Sequence, residues 1–221
     1  MKLDDIKKDI PQPLYNSLLP DIDELRPAQE KSIKKGLLER KNLLVCTPTA
    51  SGKTLIAELA MVKSILEGKG KAIYIVPLKA LANEKFKDFK KRYGLYLRVA
   101  LSIGDLDSAD PYLERFDLIV CTAEKLDSLI RHHAPWLIKV GTVVVDEVHL
   151  MNDPGRGPTL EILITMLREL LEKVQVLALS ATIGNPEELS EWLGANLVID
   201  NWRPVKLHKG VYFKGKIEIK N

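Results

Sequence analysis

Thr47-Pro48-Thr49-Ala50-Ser51-Gly52-Lys53-Thr54 is the stretch that decides the fold. It follows a short apolar run, Leu43-Leu44-Val45-Cys46, and precedes an apolar pattern with helical spacing from Leu55 to Val62. Strand, tight loop and helix, in that order, form the context a phosphate-cradling loop requires. The loop's backbone N–H groups and the positive end of the helix then face a nucleotide's phosphates. Lys53 is spaced to reach the outer phosphates, and the Thr54 hydroxyl to hold Mg²⁺. One position departs from G-x-x-x-x-G-K-T, since Thr47 stands where the first glycine is usual.

Working outward, apolar and β-branched runs recur at 43–46, 72–76, 98–103, 117–121, 142–146, 175–179 and 197–199. Such runs suit strands buried on both faces of a parallel sheet. Helical spacing fills most of the gaps. Leu78, Leu81, Ala82, Lys85, Phe86 and Phe89 mark one face, and Leu160, Leu163, Ile164, Leu167 and Leu171 another. The second is preceded by the turn-rich Asn152-Asp153-Pro154-Gly155. The alternation predicts a doubly wound α/β fold, a mainly parallel sheet with helices on both faces. Ligands of such sheets gather at the carboxyl ends of the strands.

The 221 residues are 46% hydrophobic, enough to bury a sizeable core. Charged residues make up 29% but nearly cancel to a net +3, so a nucleic-acid partner must be argued from local chemistry. Cys46 and Cys121 each close an apolar run, which predicts buried free thiols in a reducing compartment. No apolar stretch approaches the roughly 20 residues of a membrane span. The start, M-K-L-D-D-I-K-K-D-I-P, lacks the apolar core of a signal peptide. Together these features predict a cytoplasmic globular protein. Residues 1–28, with Pro11, Pro13, Pro20 and Pro27, read as short helical pieces outside the sheet. The tail 204–221 alternates apolar and basic residues and reads as an unfinished strand.

A second chemical element is Val143-Val144-Val145-Asp146-Glu147-Val148-His149. Valines followed at once by two carboxylates place Asp146 and Glu147 at the carboxyl end of a central strand. Asp146 would complement Thr54 at Mg²⁺ through the ion's water shell. Glu147 could orient and deprotonate an attacking water. The competing reading is an acidic pair exposed in a loop. A third element, Leu179-Ser180-Ala181-Thr182, ends another strand. Taken alone, its two hydroxyl residues read best as caps for a helix starting near Pro186.

T-A-S-G-K-T, D-E-V-H and S-A-T, in this order, resemble motifs I, II and III of the superfamily-two nucleic-acid helicases. That family typically lacks the first loop glycine, so Thr47 fits it. Leu25-Arg26-Pro27-Ala28-Gln29 resembles its Q motif, in which Gln29 would read the adenine edge. P-L-K-A-L-A (77–82), S-I-G-D (102–105) and T-A-E-K (122–125) resemble motif Ia, the T-G-D turn and motif Ib. M-N-D-P-G-R-G-P-T-L-E (151–161) and N-W-R-P-V (201–205) are similar to the Ski-two-like branch. Within it, the nearest likeness is the archaeal DNA-repair helicases related to the helicase part of polymerase theta.

The resemblance implies a RecA-like first motor domain over 29–203, with 1–28 leading in and 204–221 leading toward a second motor domain. It implies ATP and Mg²⁺ as cofactors. Lys53, Thr54, Asp146 and Glu147 would be catalytic, with Thr54 and Asp146 on the metal. Gln29, Thr47, Pro48, Thr49, Ala50, Ser51, Gly52, Lys53 and Thr54 would bind ATP, and His149, Ser180 and Thr182 would couple hydrolysis to movement. Pro77, Lys79, Ala80, Gly104, Asp105, Thr122 and Lys125 would line the nucleic acid.

Those last segments each sit just after a strand, where backbone N–H groups can meet phosphates without many basic side chains. Lys79, Arg98 and Lys125 could add charge, or be ordinary solvated residues. With aromatics at 6%, extensive base stacking is not expected. The family's arginine finger lies in a Q-x-x-G-R-x-G-R motif of the second domain, and no such motif occurs in these residues. Gly155-Arg156-Gly157 follows D-E-V-H too closely to serve. The implied partners are single-stranded or forked DNA and a second RecA-like domain that supplies the finger. The implied activity is 3′ to 5′ DNA unwinding in replication-fork repair and recombination, with ATP bound but scarcely turned over by residues 1–221 alone. Two alternatives stand beside it: an RNA helicase of the same branch, and a non-catalytic, nucleotide-gated binding module.

Overall fold

In the computed structural model, residues 1–104, 108–171, 173–205, 209–213 and 215–220 are described. Seven strands form one sheet: β1 (Leu43–Cys46), β2 (Lys71–Val76), β3 (Val99–Ser102), β4 (Leu118–Thr122), β5 (Val140–Val145), β6 (Gln175–Ser180) and β7 (Asn196–Ile199). Their order is β3-β4-β2-β5-β6-β1-β7, and every pairing in it is parallel. Each expected run became a strand. Parallel neighbours need crossovers, supplied here by α3 (Lys53–Leu66), α4 (Lys79–Tyr93), α5 (Ala123–Arg131), α6 (Gly157–Leu170) and α7 (Pro186–Leu193).

Strand periodicity sorts the core into two layers. Leu43 and Val45 join Tyr74, Val76 and Val120 on the face covered by α3 and α4. Leu44 and Cys46 join Ile73, Ile75, Val143 and Val145 on the face covered by α5 and α6. The first layer also takes in Leu3, Ile6, Leu14, Tyr15 and Leu18 from the N-terminal pieces, a 3₁₀ turn at Leu3–Ile6 and helix α1 (Gln12–Leu18). Both thiols are free and buried, and burial pushes Cys46 up to about 11 and Cys121 up to about 12.

The tail departs from expectation. In place of one unfinished strand, β8 (Lys209–Phe213) and β9 (Lys216–Lys220) pair as an antiparallel hairpin apart from the main sheet. Gly215, at φ +80°, gives the turn between them a left-handed residue at no steric cost. Ahead of the hairpin, Asp200 is tied to Lys31 (2.8 Å) of α2 (Pro27–Lys34), and the Arg26 guanidinium lies over the Trp202 ring. Among the described residues, no helix is long and apolar enough to cross a membrane.

Candidate functional site

The loop from Thr47 to Gly52 turns sharply because two of its residues have positive φ, Ala50 at +64° and Gly52 at +92°. Gly52 caps α3, and Lys53 and Thr54 are that helix's first two residues. The buried Thr47 hydroxyl lies 2.6 Å from Ser51 Oγ, a bond across the loop that a glycine could not make. A side chain at position 47 therefore closes the loop from within. Lys53 Nζ folds back onto the carbonyls of Thr47 (3.1 Å) and Pro48 (3.4 Å).

Gln29 is buried under this loop at the first turn of α2. Its Oε1 accepts from Arg26 N (2.8 Å) and its Nε2 donates to Gly52 O (3.0 Å). Arg26 Nη1 reaches Ala50 O at 2.6 Å. Any Cβ at Gly52 would fall on the Gln29 amide. The Q-motif residues thus act as struts for the loop, with both ends of Gln29 committed to backbone.

Asp146 lies just beyond β5, its N–H bonded to Ile75 O at 2.9 Å. Its carboxylate accepts from Tyr74 Oη (2.7 Å) and from Glu147 N (3.0 Å). Tyr74 was missed by the sequence reading. Burial, and then the Asp146 charge, push its phenol well above the ordinary value, so it stays a donor. The Thr54 side chain lies near the same phenol and opposes that rise, and Lys85 Nζ donates to Thr54 Oγ1 at 3.1 Å. One buried tyrosine, bonded to Asp146, therefore stands between Thr54 and that carboxylate.

Glu147 adopts a left-handed conformation, φ +53°, which is costly without a stabilising context and turns the chain out of the sheet. The strand becomes a 3₁₀ turn, Val148–Asn152, which carries His149. His149 Nδ1 lies 3.3 Å from Glu147 Oε2 and 3.5 Å from Ala181 N. One ring nitrogen can donate to the carboxylate or accept from the amide, not both, so the two contacts are tautomer-dependent alternatives. Either way, D-E-V-H and S-A-T are adjacent. Ser180 is buried with its hydroxyl unpartnered, and Thr182 is exposed. Neither caps α7, which starts after Asn185.

The remaining motifs lie on the β3-β4-β2 side of the sheet. Val76 is in register with Thr122, and Ser102 with Cys121, so Pro77, Gly104 and α5 emerge side by side. Lys79 and Ala80 are exposed at the start of α4, and Gly104 is exposed at the end of β3. Thr122 is buried, and its hydroxyl accepts from Lys125 N (3.4 Å) as the α5 cap. Lys125 sits in the interior, its ammonium 2.8 Å from the Asp110 carboxylate. Arg98 is exposed beside Asp117 (3.3 Å). Asp105 lies outside the described residues.

The arrangement presents oxygen donors, an ammonium and a helix N-terminus around one loop, next to a separate surface of helix starts. The DEAD/DEAH box helicase family matches residues 26–189. The chain is 55% identical over 194 residues to the ATP-dependent DNA helicase Hel308 of Pyrococcus abyssi, covering 88% of this chain and 27% of that protein. It is 56% identical over 207 residues to the Hel308 of Methanocaldococcus jannaschii, covering 90% and 17% respectively. The chain thus spans about a quarter or less of the relatives it matches. Among solved structures, the DUF1998 helicase MrfA bound to DNA superposes with a TM-score of 0.76 at 27% identity, covering 88% of this chain and 30% of that one. MrfA bound to DNA and AMPPNP gives 0.74, also at 27% identity. The sheet is RecA-like, and the chain belongs to the DEAD/DEAH box helicase family.

Proposed function

We propose that this chain is the ATP-binding first motor domain of an ATP-dependent DNA helicase that moves 3′ to 5′ and serves replication-fork repair and recombination. The observation that carries the proposal is the placement of the 47–54 loop and Asp146 at the carboxyl ends of β1 and β5, with only β6 between those strands and Tyr74 bonded to Asp146. Residues 29–203 are the motor domain proper, with 1–28 as its helical lead-in and 204–221 leading toward a second motor domain.

The α3 N-terminus binds the phosphates, and Lys53 exchanges the Thr47 and Pro48 carbonyls for phosphate oxygens. Thr54 and Asp146 are hard oxygen donors suited to Mg²⁺, which when bound neutralises charge on the phosphates. Glu147 holds and deprotonates the attacking water. His149, which can bond either Glu147 or the Ala181 amide, together with Ser180 and Thr182, relays the state of the site. Gln29 braces the loop, and reading adenine would require it to release one backbone partner.

Pro77, Lys79, Ala80 and Gly104 meet the nucleic-acid backbone, while Thr122 and Lys125 support that surface from inside. Asp105 belongs to the same proposal. Such contacts ignore base sequence.

The test is ATP hydrolysis, with single-stranded DNA or RNA added, by protein carrying both motor domains and by residues 1–221 alone. DNA should stimulate the two-domain protein more than RNA. Without a second-domain arginine, residues 1–221 should turn over roughly 10³- to 10⁵-fold more slowly. Equal or greater stimulation by RNA would overturn the choice of DNA. Rapid turnover by residues 1–221 would overturn the shared site.

A further inference from the structure

Lys85 belongs to none of the motifs, yet its ammonium donates to the hydroxyl of Thr54. Close to Thr54 lies the Tyr74 phenol, which donates to Asp146 Oδ2 at 2.7 Å, so a row of polar groups runs from Lys85 toward Asp146. Its members come from α4, α3, β2 and the end of β5, so it crosses from the nucleic-acid side of the sheet to the nucleotide side.

Two features fix Lys85 there. Phe89, one turn on and on the same face of α4, meets the Tyr74 ring edge-on at 5.2 Å and 72°, which sets α4 over β2. Buried Glu58, one turn beyond Thr54 on α3, also feels the Lys85 charge. Helix α4 itself starts at Lys79, in the exposed segment after β2. Six residues separate Lys79 from Lys85, about 9 Å along the axis. One rigid helix thus has one end in the candidate nucleic-acid surface and a side chain on the candidate metal ligand.

We propose that Lys85 is a positioning residue whose ammonium holds Thr54 in the absence of metal and competes with Mg²⁺ there, so that α4 registers occupancy of the nucleotide site. The inference rests on the reading of Thr54 as a metal ligand. Two cations on one hydroxyl oxygen in a half-buried setting repel each other, so engaging one loosens the other. By linkage the effect is reciprocal: whatever shifts α4 alters metal-dependent nucleotide affinity, and metal-bound nucleotide shifts α4.

The test titrates a fluorescent ADP analogue into wild type, Lys85→Met and Lys85→Arg, each with Mg²⁺ and with EDTA. Hydrogen exchange over residues 79–93 is followed in parallel. Lys85→Met should raise affinity in Mg²⁺ about 5-fold or more and leave affinity in EDTA unchanged. It should also abolish the Mg²⁺-dependent change in α4 exchange, while Lys85→Arg retains it. Lys85→Gln replaces the methionine variant if that variant melts early. A merely structural role would lower both affinities together and overturn the proposal, as would unchanged affinity in Mg²⁺. If wild type bound no ADP under either condition, the nucleotide reading itself would have failed.

Discussion

Glu58 lies on α3, one turn beyond Thr54, and burial holds its carboxyl above the usual carboxylate range. Arg92 (2.7 Å), Tyr93 (2.5 Å) and the nearby charge of Lys85 oppose that shift. Arg92 continues to Asp21 at 3.0 Å, so the cluster also ties the N-terminal segment to α3 and α4. Because the folded value is raised, Glu58 favours the fold below its unfolded value, and that contribution is lost as pH rises through the folded value. Arg92→Met leaves the carboxylate buried without its counter-charge. It should cost about 3 kcal/mol in urea unfolding at pH 7 and less as the pH is lowered and Glu58 takes up a proton. A loss independent of pH would contradict the pairing. Residues differ in how openly their sequence neighbours declare them. Lys53 and Asp146 are legible because a strand and a loop or helix flank them. Tyr74 sits inside the apolar run Lys71–Val76 and reads as core, since its hydroxyl partner exists only once β2 and β5 pair. Lys125 reads as a surface charge for the converse reason: Asp110 precedes β4 in the chain but lies beside Lys125 in space.

At the scale of elements, the turn from β5 to α6 carries the most consequence. Asp153 Oδ1 accepts from Gly155 N (2.9 Å) and Arg156 N (3.0 Å), which closes the loop before α6. Gly157 opens α6 so close to the Met151 carbonyl that a methyl group there collides with backbone. Gly157→Ala should therefore displace the Val148–Asn152 turn and His149 with it. Thermal melts should show about 1–3 kcal/mol of lost stability, and ATP hydrolysis should fall in protein carrying both motor domains. Unchanged stability would show that the turn yields freely. Strand existence was legible because each run is apolar on both faces, which a two-layer core demands. Strand order was not, because the place of β5 between β2 and β6 depends on which face each crossover takes. The 209–220 hairpin was missed because alternation of apolar and basic residues describes one strand as well as two.

Across the whole molecule, one sheet keeps two chemistries apart. β1, β5 and β6 end at the candidate phosphate loop, Asp146 and Ser180, while β3, β4 and β2 end at the candidate nucleic-acid surface. Tyr74 stands at the seam between the halves, and α4 spans it through Lys85. The mild net charge of +3 is consistent with a partner met by helix N-termini more than by a basic patch. All of this rests on residues 47–54 holding a nucleotide. The most direct measurement is calorimetric titration of Mg²⁺·ADP into wild type and Lys53→Ala, with melting curves to establish that both are folded. Wild type should bind, and the folded variant should lose most of that affinity. Undiminished binding by folded Lys53→Ala would contradict the account.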